Sequence, residues 1–268
     1  MRRLEGKIAL VLGASRNGNM GQAIASRFLR EGAKVVVSGR SRAGLEAFAS
    51  AAGAYAVSSD IAKKAEIQAL ADDVIAKFGR IDIAVNAAAT GQYGPFEETN
   101  EETIDEMLAI IFKGSFFFMQ VMVAAMKQER AGRRGGAIVN ISSAVADIMY
   151  ENHAAYMGAK AGMNHITRCV ANEYGKYGIR ANVVAPGLTD TPMLAGFKTP
   201  GMIAAFEKEY PLGRITTVED VAAATLFAVD DECFMTGQTL HVTGGLTLRR
   251  NPTPDEIAAA ITAAECGA

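Results

Sequence analysis

Short, almost continuously apolar runs alternate along this chain with longer segments of helical period. Residues 7–12, 34–38, 54–57, 82–85, 136–141, 179–184 and 238–242 have the character of strands, and helical patterns fill the intervals near 20–31, 42–52, 62–78, 101–128, 154–176 and 217–229. A strand apolar at nearly every position is covered on both faces, as a parallel strand between helix layers must be. Unbroken βα alternation predicts an α/β fold: one doubly wound parallel sheet flanked by helices. No internal repeat, low-complexity tract or linker interrupts it, so a single domain is expected over residues 1–248, followed by a helical tail over 249–268.

With 268 residues, half of them hydrophobic, the chain can bury a full core. A net charge of -2 gives no electrostatic case for nucleic acid or an anionic membrane as partner. The opening MRRLEGKIAL moves straight into a strand and does not read as a signal peptide. The most apolar stretch, residues 110–126, is interrupted by Lys113 and Gln120 and reads as a buried or subunit-interface helix rather than a membrane span. Cys169, Cys233 and Cys266 are odd in number and widely spaced, which suggests neither a disulfide framework nor a zinc site. A cytoplasmic location and no metal are expected.

Chemistry concentrates after the fifth strand. GGAIVNISS, residues 135–143, ends in hydroxyl residues, and Tyr156 and Lys160 follow on the next helix. Positions i and i+4 share a helix face, so the Lys160 ammonium can lie under the Tyr156 ring and favour its phenolate. Ser143, at the carboxyl end of a strand, could hold a carbonyl oxygen as negative charge develops on it. Alone, such a Tyr–Lys pair also describes an ordinary surface helix. The strand before it and the small-residue helix around it favour proton transfer to or from an alcohol or ketone oxygen.

Eight stretches stand in a telling order: LVLGASRNGNMGQAIA, VVVSGR, SSDIA, IDIAVNAAA, IVNISS, YMGAK, IRANVVAPGLTDTPM and TGQTLHVTGG. On these the chain resembles the short-chain dehydrogenase/reductase family, of the carbonyl reductase and alcohol dehydrogenase kind, from about Lys7 to Leu246. The resemblance implies a Rossmann-type fold and catalysis by Ser143, Tyr156 and Lys160. It also implies cofactor contacts from Gly13, Ser15, Arg16, Asn17, Gly18, Met20 and Gly21 in the first loop, and from Arg40, Asp60, Ile61 and Asn86. Tyr156, Lys160, Pro186, Gly187, Thr189 and Thr191 would complete the cofactor site, with Thr189 at the nicotinamide carboxamide.

Glycines opening a helix after a strand let backbone N–H groups approach a pyrophosphate. Here they run G-x4-G-x2-G, two residues longer than the family's usual G-x3-G-x-G, with Asn17 and Asn19 filling the added length. Gly39 stands where family members preferring NAD carry an acid, and Arg40 follows it. Arg16 and Arg40 converging on a 2′-phosphate would favour NADP(H) over NAD(H).

Two regions fit less simply. Ile111 takes the place of the asparagine that completes the family's catalytic tetrad, and isoleucine cannot join a proton relay. Residues 188–212 occupy the place of the family's substrate lid. Tyr93, Met149, His153, Met193 and Phe197 are candidates for an apolar pocket, with Tyr150, Leu194, Met202 and Phe206, although lid residues can equally pack onto the sheet. His153 either faces substrate or caps its helix. In the tail, Thr253-Pro254-Asp255-Glu256 forms a capping box, so a short helix should follow; it could pack on its own subunit, reach a neighbour or fray. The expected function is interconversion of a ketone or aldehyde and an alcohol, on an apolar or cyclic small molecule, by a homodimer or homotetramer. Alternatives are an enoyl reductase of the same fold, whose tyrosine and lysine usually have six residues between them rather than three, and a non-enzymatic NADP-binding regulator.

Overall fold

The computed structural model describes residues 2–128, 135–196 and 198–266. Seven parallel strands form one sheet: β1 (Ile8–Leu12), β2 (Lys34–Gly39), β3 (Tyr55–Ser58), β4 (Ile83–Asn86), β5 (Gly136–Ile141), β6 (Ile179–Pro186) and β7 (Thr239–Val242), in the order β3-β2-β1-β4-β5-β6-β7. Each was legible as an apolar run, with bounds displaced by a residue or two. Successive side chains of β1 serve opposite faces: Ile8, Leu10 and Leu12 join one core, Ala9 and Val11 the other. Helices α1 (Met20–Arg30), α2 (Arg42–Ala52) and α8 (Val218–Val229) flank the second face. The first is covered by α3 (Lys64–Phe78), by α4 (Glu101–Met107) and α5 (Gly114–Met126), and by α6 (Ala154–Tyr174). Strand order reverses between β1 and β4, which opens a crevice at their carboxyl ends.

The long helix expected over 101–128 is not uniform. Between α4 and α5 the residues Leu108–Lys113 widen into a turn of π geometry, and this turn packs on α6. Its Phe112 fills a notch at Gly162, where a Cβ would come within 2.8 Å of the ring. The whole run Glu101–Met126 is long and apolar enough to span a bilayer by composition, yet more than half of its most apolar window is buried inside the fold. It is a core helix. Beyond β7, Thr253 and Glu256 cap each other's backbone amides and start α9 (Pro254–Cys266). That helix packs along α7 (Pro200–Glu207) in the lid segment.

Candidate active site

Strand β5 delivers Ser143 just past its end, and the first turns of α6 carry Tyr156 and Lys160. Lys160 is 1 % exposed; its Nζ donates to the Ile141 carbonyl at 2.7 Å and lies 5.6 Å from the Tyr156 ring centroid. The three residues expected to act together are therefore brought together. Their electrostatics differ from the expectation that Lys160 lowers the tyrosine pKa. Burial pushes the Tyr156 phenol up to about 12, opposed only by its hydrogen bond with Ser143, and pushes the Lys160 ammonium down to about 7. Both charged forms lose water, and the ammonium is turned toward a backbone carbonyl, so desolvation outweighs their mutual attraction.

The glycine loop is braced from within. Asn19 caps α1 by accepting from the Gln22 amide at 3.0 Å and donates to the Gly13 carbonyl at 2.7 Å. Gln22 answers by accepting from the Gly18 amide and donating to the Ala14 carbonyl. Asn19 thus has a structural task, and the loop's extra length is the α1 cap. Gly13 permits close approach of β4's end, since a Cβ there would lie 2.4 Å from the Ala87 carbonyl carbon. Gly18, at φ +72°, borders a cleft of about 470 Å³ shared with Asp190, Thr191, Pro192, Ala195 and Lys198. A braced glycine loop, a helix amino terminus and an open cleft fit a dinucleotide pyrophosphate.

At the adenosine end, a Cβ on Gly39 would lie 2.1 Å from Ser15 Oγ, which also accepts from the Ser41 amide at 3.3 Å. This contact sets Arg16 and Arg40, each one residue away, on adjoining backbone, and both are exposed. Asp60 accepts from the Ala62 amide and shapes its turn, whereas the Ile61 side chain is buried against Gly114. Any cofactor contact of Ile61 must therefore be through its backbone. Met20 packs partly on the core. The Thr189 hydroxyl donates to the Gly187 carbonyl at 2.9 Å, and Thr189 bridges to Thr216, which fixes the turn after Pro186. Thr191 lines the cleft. Asn86 is buried and ties β4 to its neighbours: its Nδ2 donates to Ser115 Oγ at 2.9 Å and Asn140 Oδ1 at 3.2 Å. Asn140 in turn donates to Thr167 Oγ1 on α6. Ser115, Asn140 and Thr167 were not singled out in the sequence, although an asparagine inside an apolar strand was the visible sign.

On the substrate side, His153 stands at the start of α6 without capping it. Its Nδ1 pairs with the Glu151 carbonyl at 3.0 Å, and burial lowers its pKa. The ring lies 4.4 Å from Tyr150, 5.1 Å from Tyr93 and 6.4 Å from Tyr156, centroid to centroid. Tyr93, Met149 and Met193 are 62 %, 73 % and 51 % exposed. A Cβ on Gly91 would lie 3.8 Å from Met193 Sδ, so the Tyr93 loop meets the lid. Met202 and Phe206 are instead buried in a third core under the lid, with Leu194 partly so, and Phe197 lies outside the described residues.

A family model described as enoyl-(acyl carrier protein) reductase matches residues 13–247. The chain is 35% identical over 253 residues to a D-threitol dehydrogenase of Mycolicibacterium smegmatis, covering 92% of this chain and 95% of that protein. The chain belongs to the short-chain dehydrogenase/reductase family. Another member of the family, a 3beta-hydroxysteroid dehydrogenase 1 of Eggerthella lenta, is 35% identical over 91% of this chain and 95% of its own. Among solved structures, one from Burkholderia xenovorans described as a short-chain dehydrogenase/reductase aligns with a TM-score of 0.85 at 32% identity, over 94% of this chain and all of that one. Besides the longer glycine loop, two departures from the family pattern stand out. Ile111, buried in the π turn, offers no polar atom where the resemblance implies an asparagine, and the tail beyond residue 247 falls outside the match.

Proposed function

We propose that this short-chain dehydrogenase/reductase is an NADP(H)-dependent carbonyl reductase that reduces a ketone or aldehyde on an apolar or cyclic small molecule. The observation that carries the reading is the Ser143–Tyr156–Lys160 cluster, with Lys160 buried and the other two half-buried, at the carboxyl end of β5, across the sheet's reversal point from the glycine loop. The bound nicotinamide would supply the hydride to the carbonyl carbon. Ser143 Oγ polarises the substrate oxygen, and Tyr156 Oη gives it a proton as charge develops there. With its pKa pushed up to about 12, Tyr156 is protonated at neutral pH, the state a reduction needs and an alcohol oxidation does not. Lys160, titrating near neutrality, returns a proton to the phenolate and holds the nicotinamide ribose.

NADP preference rests on the closed Gly39 position and on Arg16 and Arg40 beside it. An enoyl reductase is the second reading, favoured by the description of the matching family model; the Tyr156–Lys160 spacing speaks against it. A cytoplasmic homodimer or homotetramer accords with the same reading. The test is cofactor oxidation with NADPH and NADH across ketones, aldehydes, quinones and enoyl compounds. Carbonyl turnover should favour NADPH, and Tyr156→Phe should lower it at least ~100-fold while NADPH still binds. Turnover unchanged in that variant would end the proposal.

A further inference from the structure

The tail is woven into the wall of the candidate substrate pocket at three places. First, α9 lies directly on the backbone of α7: a Cβ on Gly201 would come within 2.4 Å of Ile261 Cα and 2.5 Å of the Ala260 carbonyl oxygen. Second, Arg249 Nη1 donates to the Lys208 carbonyl at 3.0 Å and caps the carboxyl end of α7. Third, Asn251, only 7 % exposed, donates from Nδ2 to the Met149 carbonyl at 2.9 Å. The bidentate pair of Arg250 with Glu256, both N···O distances 2.6 Å, fixes the turn between these anchors.

Both elements held this way lead to the reacting tyrosine. From α7, Phe206 meets Tyr150 edge-on at 5.7 Å, Tyr150 stacks on His153, and His153 adjoins Tyr156. Asn251 holds the residue just before Tyr150. We infer that residues 249–266 are a clamp that fixes α7 and the Met149–Tyr150 wall relative to Tyr156, and so limit the size of the carbonyl compound admitted. Asn251 and Gly201 are positioning residues, the first through a hydrogen bond and the second by leaving room for α9. The size limit rests on the carbonyl-reductase reading; the clamp itself does not.

Gly201→Val and Asn251→Ala in the full chain separate the two. Amide exchange of residues 200–207 and 148–152, NADPH affinity, melting temperature, and kcat and KM for cyclohexanone and 2-decalone are measured for each. Exchange should quicken in those two segments and in α9 but nowhere else, with NADPH affinity unchanged. The KM for cyclohexanone should rise ~10-fold with a smaller fall in kcat, the scale expected when a positioning wall loosens. The ratio of kcat/KM for the two-ring over the one-ring ketone should rise at least ~3-fold. Unchanged exchange overturns the clamp, as does quickening spread over the whole molecule with a matching fall in melting temperature, which is plain destabilisation. An unchanged ratio with local quickening overturns the size limit. If the parent protein reduces neither ketone nor any other carbonyl compound, the proposed function falls, and the exchange data still decide the clamp.

Discussion

Lys160 is a fully buried ammonium with one carbonyl as its recorded hydrogen-bond acceptor, and the fold bears a cost for keeping it there. Its folded pKa, about 7, lies below the unfolded value of 10.5. Between those values the unfolded chain binds more protons, so stability rises with pH across that window from this group. Lys160→Met should therefore melt higher than the parent near pH 7, by about 1–3 kcal/mol, while losing turnover. The gap should narrow as pH approaches 10; paired thermal melts at pH 7 and 9.5 measure it. A second expectation concerns cofactor choice. Gly39→Asp alone should weaken both NADPH and NADH binding, because its Cβ meets Ser15 Oγ at 2.1 Å. Adding Ser15→Gly should relieve the clash, though not the backbone strain at Gly39's φ of +157°, and turn preference toward NADH, read by fluorescence titration of each cofactor. Equal affinities in the single and double variants would show that Ser15 does not close this position.

Between elements, the Asn86–Ser115–Asn140–Thr167 chain joins β4 and β5 to α5 and α6, the helix that carries Tyr156 and Lys160. Asn140→Leu would leave the Asn86 amide with Ser115 alone as acceptor and remove the donor to the Thr167 hydroxyl, which still donates to the Met163 carbonyl, at a cost of about 1–3 kcal/mol. Urea denaturation should record that loss, and a loss below ~0.5 kcal/mol would mean that the chain of bonds is ornamental. How far each element was readable follows from the range of the forces that make it. The inner strands were legible because both faces are covered and most positions are apolar. Ser143, Tyr156 and Lys160 were legible because one strand end and one i,i+4 pair define them. The π turn was not, since what it packs against is Gly162, some fifty residues on, which receives Phe112. Asn251 could not be read either, since its partner Met149 stands 102 residues away.

For the molecule as a whole, a ligand bound only by the native state stabilises it by mass action. NADPH at ~100 times its dissociation constant should add about 2.7 kcal/mol, a melting shift of roughly 5–10 °C for a chain of this size. NADH at the same concentration should shift it less. Tyr156→Phe should keep the NADPH shift, since on the proposed reading the cofactor's hold is spread over the glycine loop and β2's end rather than resting on one hydroxyl. Equal shifts from the two cofactors would remove the case for Arg16 and Arg40. The contact of α9 with α7 also has a consequence for how the protein is made. Synthesis runs from β1 outward, and α9 leaves the ribosome after every strand of the sheet. A nascent chain released as far as β7 already contains the glycine loop and Tyr156, and still lacks the piece that holds its lid. On the proposed reading, such a chain would complete its cofactor loop before the wall that sizes its substrate is pinned, so selectivity would come after cofactor binding in the order of synthesis.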